Sequence, residues 1–163
     1  VVATGDKFWK FNGGYAEYPH PGYAWAATRQ ALEWVGGLID FAGMGAGDHH
    51  MALSLVGAAD RSVPGGVSAS YQRLLYQWQD RARQHINGNI GYVPGTIEHA
   101  FHGAKPKRQY LERWDMFLRH CFDPDTDLKR NTFGVNELAG NKPELRRELD
   151  LYFRQRDEDA NTL

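Results

Sequence analysis

The sequence predicts a mixed α+β protein, a short mixed sheet with flanking helices, and three stretches carry that expectation. From Ser70 onward, Tyr71, Leu74, Leu75 and Trp78 fall on one side of a long helix and Arg73, Asp80, Arg81 and Arg83 largely on the other, with an end near Asn87-Gly88. A second helical pattern follows Thr28 and closes at Gly36-Gly37. Residues 89–101, NIGYVPGTIEHAF, read as two β-rich runs, 90–93 and 96–101, around Pro94-Gly95. At 163 residues the chain is expected to be a single domain with a substantial core.

Taken in order, residues 1–21 mix glycine, proline and aromatics and read as one or two strands with turns at Asn12-Gly13-Gly14 and Pro19-His20-Pro21. Residues 23–26 are a short buried strand candidate. Thr28 then caps a helix in which Ala31, Leu32 and Val35 share a face. Residues 38–41 lead into a bend rich in small residues, Gly43, Gly45, Ala46 and Gly47, and a second helix is expected from His49 or His50 to about Ala58. Residues 61–68 form a loop with Pro64-Gly65-Gly66 at its tip, suited to covering a substrate. Lys105, Lys107 and Arg108 precede a helix with Tyr110, Trp114, Phe117 and Leu118 spaced for burial. Residues 122–140 are polar and turn-rich. A last helix starts at Pro143 and is expected to turn Leu145, Leu149, Tyr152 and Phe153 inward.

Composition excludes some classes of function. With 19 basic and 20 acidic residues the formal net charge is -1, so no overall field draws the chain to nucleic acid or to an anionic membrane. No apolar run reaches the length of a membrane span, and no signal segment opens the chain. The one cysteine, Cys121, rules out an internal disulfide framework and fits a reducing, cytoplasmic setting. Nothing speaks to oligomeric state. Aromatics make up 13%, with 5 Trp and 8 Tyr, side chains that pack cores and also stack on ring-shaped ligands.

The residues able to carry chemistry are Asp48, His49, His50, His99 and His102. A carboxylate after a run of small residues sits where a ligand can approach the backbone closely, although Asp48 would serve equally as the N-cap of the helix behind it. His49 and His50, adjacent on a helix, diverge by roughly 100°, so at most one faces a site that Asp48 faces. His99 and His102 point to opposite faces of a strand and converge only if the chain turns, as Gly103 and Pro106 permit. Histidines with a carboxylate support a metal centre. Asp48-His49-His50 also matches the letters of a metal-dependent phosphoesterase signature, without its upstream aspartates. Asp123-Pro124-Asp125-Thr126-Asp127 opens like a calcium loop, but Leu128 and Gly134 stand where the loop needs glycine and glutamate, so capping or turn formation suffices.

Residues 29–40, RQALEWVGGLID, are followed by Met44-Gly45-Ala46-Gly47-Asp48, then by Ile97-Glu98-His99, and then by RQYLER at 108–113. This order resembles the C-terminal half of a GT-A type, nucleotide-sugar-dependent glycosyltransferase, most closely the part shared by β-1,4-galactosyltransferases and polypeptide N-acetylgalactosaminyltransferases. There, R-x-x-[LF]-x-x-x-G-G-[FL]-x-[DE] leads to a W-G-x-E-D turn and later to a metal-binding histidine. The resemblance implies that Asp48, matching the second carboxylate of the E-D pair, contacts the acceptor hydroxyl as base. It implies that His99, with His102 as a second contact, holds a divalent metal, manganese in this family. Tyr23, Trp25, Gly45, Gly47, His49 and Arg108 would line the donor and acceptor sites. Gly47 stands where the family has its first carboxylate, Met44 where it has tryptophan, and His50 where an acidic residue often follows. The nucleotide-binding half would precede Val1, so the chain reads as the acceptor and metal half of a longer protein. The expected partners are a nucleotide-sugar donor and a carbohydrate or protein acceptor. A metal-dependent phosphoesterase and a non-catalytic carbohydrate-binding module are the alternatives.

Overall fold

A computed structural model of the chain describes residues 22, 24–98, 105–109 and 112–156. The chain forms two compact units, Val1–Val63 with Leu74–Ile97, and Pro64–Arg73 with Glu98–Leu163. Among the described residues, six α-helices and a two-stranded antiparallel sheet make up the mixed helical and β architecture.

The first unit is helical and folds around a glycine corner. Helix α1 (Arg29–Val35) starts where Thr28 turns extended and its Oγ1 accepts the Ala31 N–H at 3.1 Å. It stops at Gly36, whose φ of 82° is the left-handed cap that glycine adopts without a Cβ penalty. The carbonyls freed at this end are taken up by α3 (Ala69–His85), of which residues 69–73 belong to the second unit and 74–85 to the first. Arg81 Nε donates to the Val35 carbonyl at 2.7 Å, and Trp78 Nε1 donates to that of Gly37 at 2.9 Å. A Cβ on Gly36 would lie 3.2 Å from the Arg81 guanidinium, so the glycine also makes room for this contact. Arg81, expected on the solvated side of its helix, is thus half-buried as a cap for another helix.

Ile39, Phe41, Ala42 and Met44 then bury themselves, and α2 (Gly47–Leu55) follows, contributing Ala52 and Leu53. With Val35, Ala59, Leu75, Trp78 and Ala82 these make the apolar interior. Each large side chain among them contributes about 1.5–3 kcal/mol of transfer free energy. Helix α2 is offset from its expected span: it begins at Gly47 because Gly45 and Ala46, both at positive φ, complete the bend first. It ends before Ala58 because Gly57, at φ 75°, turns the chain into a short 3-10 turn, Ala59–Arg61.

Two expected β elements do not form among the described residues. Residues 24–26 form no strand, and Trp25 is 47% exposed rather than buried; Tyr23 lies outside the described residues. Residues 89–98 contain no strand, and Tyr92, Val93 and Ile97 face solvent; the end of the second run, 99–101, lies outside the described residues. β-branched composition favours a strand only where its apolar face has something to pack against, and a lone two-stranded ribbon without such cover is marginal in water.

In the second unit, α4 (Arg113–Arg119) buries Met116 and Phe117. Phe117 stacks on Phe122 with centroids 4.0 Å apart, and Trp114 meets Tyr71 edge-on at 6.0 Å. Residues 122–140, expected as irregular, hold a one-turn helix α5 (Pro124–Asp127) and a hairpin of β1 (Leu128–Arg130) and β2 (Asn136–Leu138) in the register Leu128 to Leu138. Its turn is set by Asn131, whose Oδ1 accepts the Phe133 and Val135 N–H groups. This antiparallel pair, rather than a mixed sheet, is the only sheet among the described residues. Asp123 caps α5, its carboxylate accepting from Asp125 N at 2.9 Å, as the capping reading of the aspartate run has it. Helix α6 (Pro143–Arg156) buries Leu145 and Tyr152. Phe153 is 51% exposed instead of inward, because the 145, 149, 152 stripe leaves residue 153 at its margin.

Candidate functional site

The candidate site is the bend from Gly43 to His50 in the first unit. Three of its residues have positive φ, Gly43 at 54°, Gly45 at 101° and Ala46 at 65°, so the chain reverses tightly and α2 starts without a side-chain N-cap. Asp48 therefore does not cap α2. It occupies the first turn of the helix, half-buried, where the unpaired N–H groups of the helix start favour a negative charge. Its carboxylate makes no hydrogen bond or ion pair with another described residue.

Gly47 has a steric cause. A Cβ there would stand 2.9 Å from the Ile39 carbonyl oxygen, closer than real Cβ atoms approach backbone, so the bend admits no side chain at this position. The carboxylate that the glycosyltransferase pattern places before the aspartate is thus sterically barred here. Met44, where the pattern has tryptophan, is 3% exposed and belongs to the core.

The two histidines diverge as helical geometry requires. His50 is fully buried, and its Nδ1 lies 2.8 Å from Ser62 Oγ, whose own hydroxyl donates to the Ala59 carbonyl at 2.8 Å. With the serine proton already used, Nδ1 carries a hydrogen and donates it. Burial, helped by the neighbouring His49, pushes the His50 pKa down to about 3, so the ring is neutral and ties α2 to the turn that follows it. His49 is half-buried, and burial lowers its pKa against the opposing pull of Asp48, which favours a neutral imidazole beside an anionic oxygen.

Of the residues singled out in the sequence, Gly45, Gly47, Asp48 and His49 are brought together on this bend. Trp25 is 47% exposed. Arg108 belongs to the second unit, in a 3-10 turn Lys105–Arg108, where its carbonyl accepts from Tyr152 OH at 3.0 Å. Tyr23, His99 and His102 lie outside the described residues. Among the described residues, no three His, Cys, Asp or Glu side chains group closely enough to hold a metal ion.

Asp80, Arg83, Gln84 and Asn87 line a cleft of about 680 Å³ together with Leu55 and Ile90. Their spacing of three, four and seven residues was visible, but a polar stripe of that period is the ordinary outer face of an amphipathic helix. No helix among the described residues is long and apolar enough to cross a membrane. No protein-family model, no curated protein and no solved structure matches the chain.

Proposed function

We propose that the chain is the acceptor and metal half of a GT-A type, nucleotide-sugar-dependent glycosyltransferase, with Asp48 as the base of an inverting transfer. One observation carries the reading. Asp48, the residue that matches the family's acceptor carboxylate, is held on the first turn of α2 behind a tight bend and is engaged neither as a cap nor in an ion pair with a described residue. The order of the other matching segments, from Arg29 to Gly47 and on to His99, supports it.

The chemistry follows from that oxygen. An acceptor hydroxyl placed within hydrogen-bond reach of Asp48 gives up its proton to the carboxylate as its oxygen bonds to the anomeric carbon of the donor sugar. The bond from that carbon to the diphosphate breaks on the opposite face, and the electron pair leaves with the nucleoside diphosphate. The first turn of α2, packed so closely at Gly47 against the Ile39 carbonyl that no Cβ fits, positions the carboxylate for the displacement. His49, kept neutral by burial, adds no second positive charge to compete for the Asp48 oxygens. His99, with His102 as a second contact, would hold the manganese ion that the resemblance implies, and the ion would supply positive charge to the departing diphosphate.

The test is a transfer assay on the protein in which this chain is joined to the nucleotide-binding half that the resemblance implies, with manganese and a panel of nucleotide sugars, reading nucleoside diphosphate release and the mass of the product. Asp48→Asn is expected to lose about 10²–10⁴-fold in kcat, the usual contribution of a positioned base, with donor binding retained. His99→Ala is expected to abolish the manganese dependence. Turnover of no donor by the wild type, or Asp48→Asn at the wild-type rate, overturns the reading.

A further inference from the structure

The cleft at the end of α2 remote from Asp48 has the composition of a binding site. One wall is the C-terminal end of α2 at Leu55, and the other is the last two turns of α3 and the residues after it, with Ile90 at the margin. Asp80, Arg83, Gln84 and Asn87 face this space, and none of the four side chains is hydrogen-bonded or ion-paired to another described residue. Their backbone is fixed, because the same helix is anchored through Trp78 and Arg81 to the end of α1, and through Gln79 Oε1 to the Ala59 N–H at 2.9 Å. Three planar polar groups, Asp80, Arg83 and Gln84, are therefore presented from one anchored helix, and Asn87 joins them from the turn just after its end.

Their chemistry selects a ligand class. One carboxylate and one guanidinium cancel in charge, so the cleft favours neither an anion nor a cation. Asp80 accepts, Arg83 donates, and Gln84 and Asn87 do both, so donors and acceptors line the same cleft. Leu55 and Ile90 add apolar surface beside them. A neutral ligand with many hydroxyls and a flat C–H face meets each requirement, and a pyranose chain has both. We propose that this cleft binds a neutral oligosaccharide, at a place separate from the Asp48 bend and independent of any transfer chemistry there.

An array of neutral oligosaccharides, with sulfated and sialylated counterparts alongside, probes the full-length chain directly, and calorimetry with the best-retained glycan then quantifies the variants. The wild type is expected to retain neutral glycans in preference to their anionic counterparts. Asp80→Ala and Gln84→Ala, at exposed positions outside the core, are each expected to weaken binding about tenfold with unchanged thermal melting, as loss of one or two ligand hydrogen bonds requires. Asp48→Asn is expected to bind as the wild type does, which separates this inference from the proposed transfer activity. Retention of no neutral glycan, preference for anionic ones, or equal binding by the Asp80→Ala/Gln84→Ala double variant overturns it.

Discussion

Replacing Asp127 tests how the second unit is held together. Its side chain is 1% exposed and accepts from Lys142 Nζ at 2.7 Å, from Asn141 Nδ2 at 2.6 Å and from the Asp123 N–H at 2.7 Å. One carboxylate thus joins the start of α5 to the residues leading into α6, while its own backbone carbonyl accepts from Ala139 N at the end of the hairpin. Removing one member of a buried ion pair costs about 3–5 kcal/mol. The Lys142 side chain is 27% exposed and stays hydrated, which places Asp127→Ala near the lower end, about 3 kcal/mol, and Asp127→Asn, which keeps the shape, at about 2 kcal/mol. Burial alone would raise the Asp127 pKa, but the Lys142 hydrogen bond, the Asp123 N–H, Asn141 and the Lys142 charge outweigh it and hold the group below its usual value. A depressed carboxylate pKa means that the stabilisation is fully present above the unfolded value of about 3.9 and disappears as pH falls through the lower folded value. Urea denaturation followed by circular dichroism should show the gap between wild type and Asp127→Asn at pH 7 and its closure in strong acid. A gap under about 0.5 kcal/mol at pH 7, the size of an ordinary surface substitution, or one that persists unchanged to the acid limit, refutes the reasoning.

Further outcomes follow from the first unit. Gly47→Ala forces a Cβ against the Ile39 carbonyl and is expected to cost about 1–3 kcal/mol in urea denaturation, with the transfer activity falling alongside. His50 has a folded pKa of about 3, below its unfolded 6.5, so it contributes stability above pH 6.5 that drains away as pH falls toward 3. Near pH 5 that slope is about 1.4 kcal/mol per pH unit, and His50→Asn should flatten it in denaturation curves taken between pH 7 and pH 4. Ser54 Oγ is buried without a partner, so Ser54→Ala is expected to raise the denaturation midpoint, by up to about 1 kcal/mol in stability.

Local rules are legible in the chain wherever the deciding partner is near in sequence. Thr28, Gly36 and Pro143 act within a turn of themselves, and each marks the helix boundary expected of it, while Asp123 caps a one-turn helix that the sequence did not announce. The face formed by Tyr71, Leu75 and Trp78 follows from period alone. Strands were misplaced because a strand needs a distant ladder and a covered face. The apolar runs at 90–93 and 96–98 have neither, whereas the polar segment 128–138 pairs through the turn at Asn131.

The candidate site divides in the same way. Small residues followed by Asp48 announced a tight bend, and helical angles announced that His49 and His50 would part. That Gly47 excludes a side chain, that His50 is spent on Ser62 and that Asp48 is left without a cap to make were decided by the Ile39 carbonyl, by Ser62 and by the left-handed turn at Ala46. The sequence by itself determined the helices, their caps and the bend, since those depend on propensity and on hydrogen bonds a few residues long. Only the tertiary structure decided which polar groups are buried, barred or open to a ligand, because burial and steric exclusion belong to neighbours that the chain brings together from far apart.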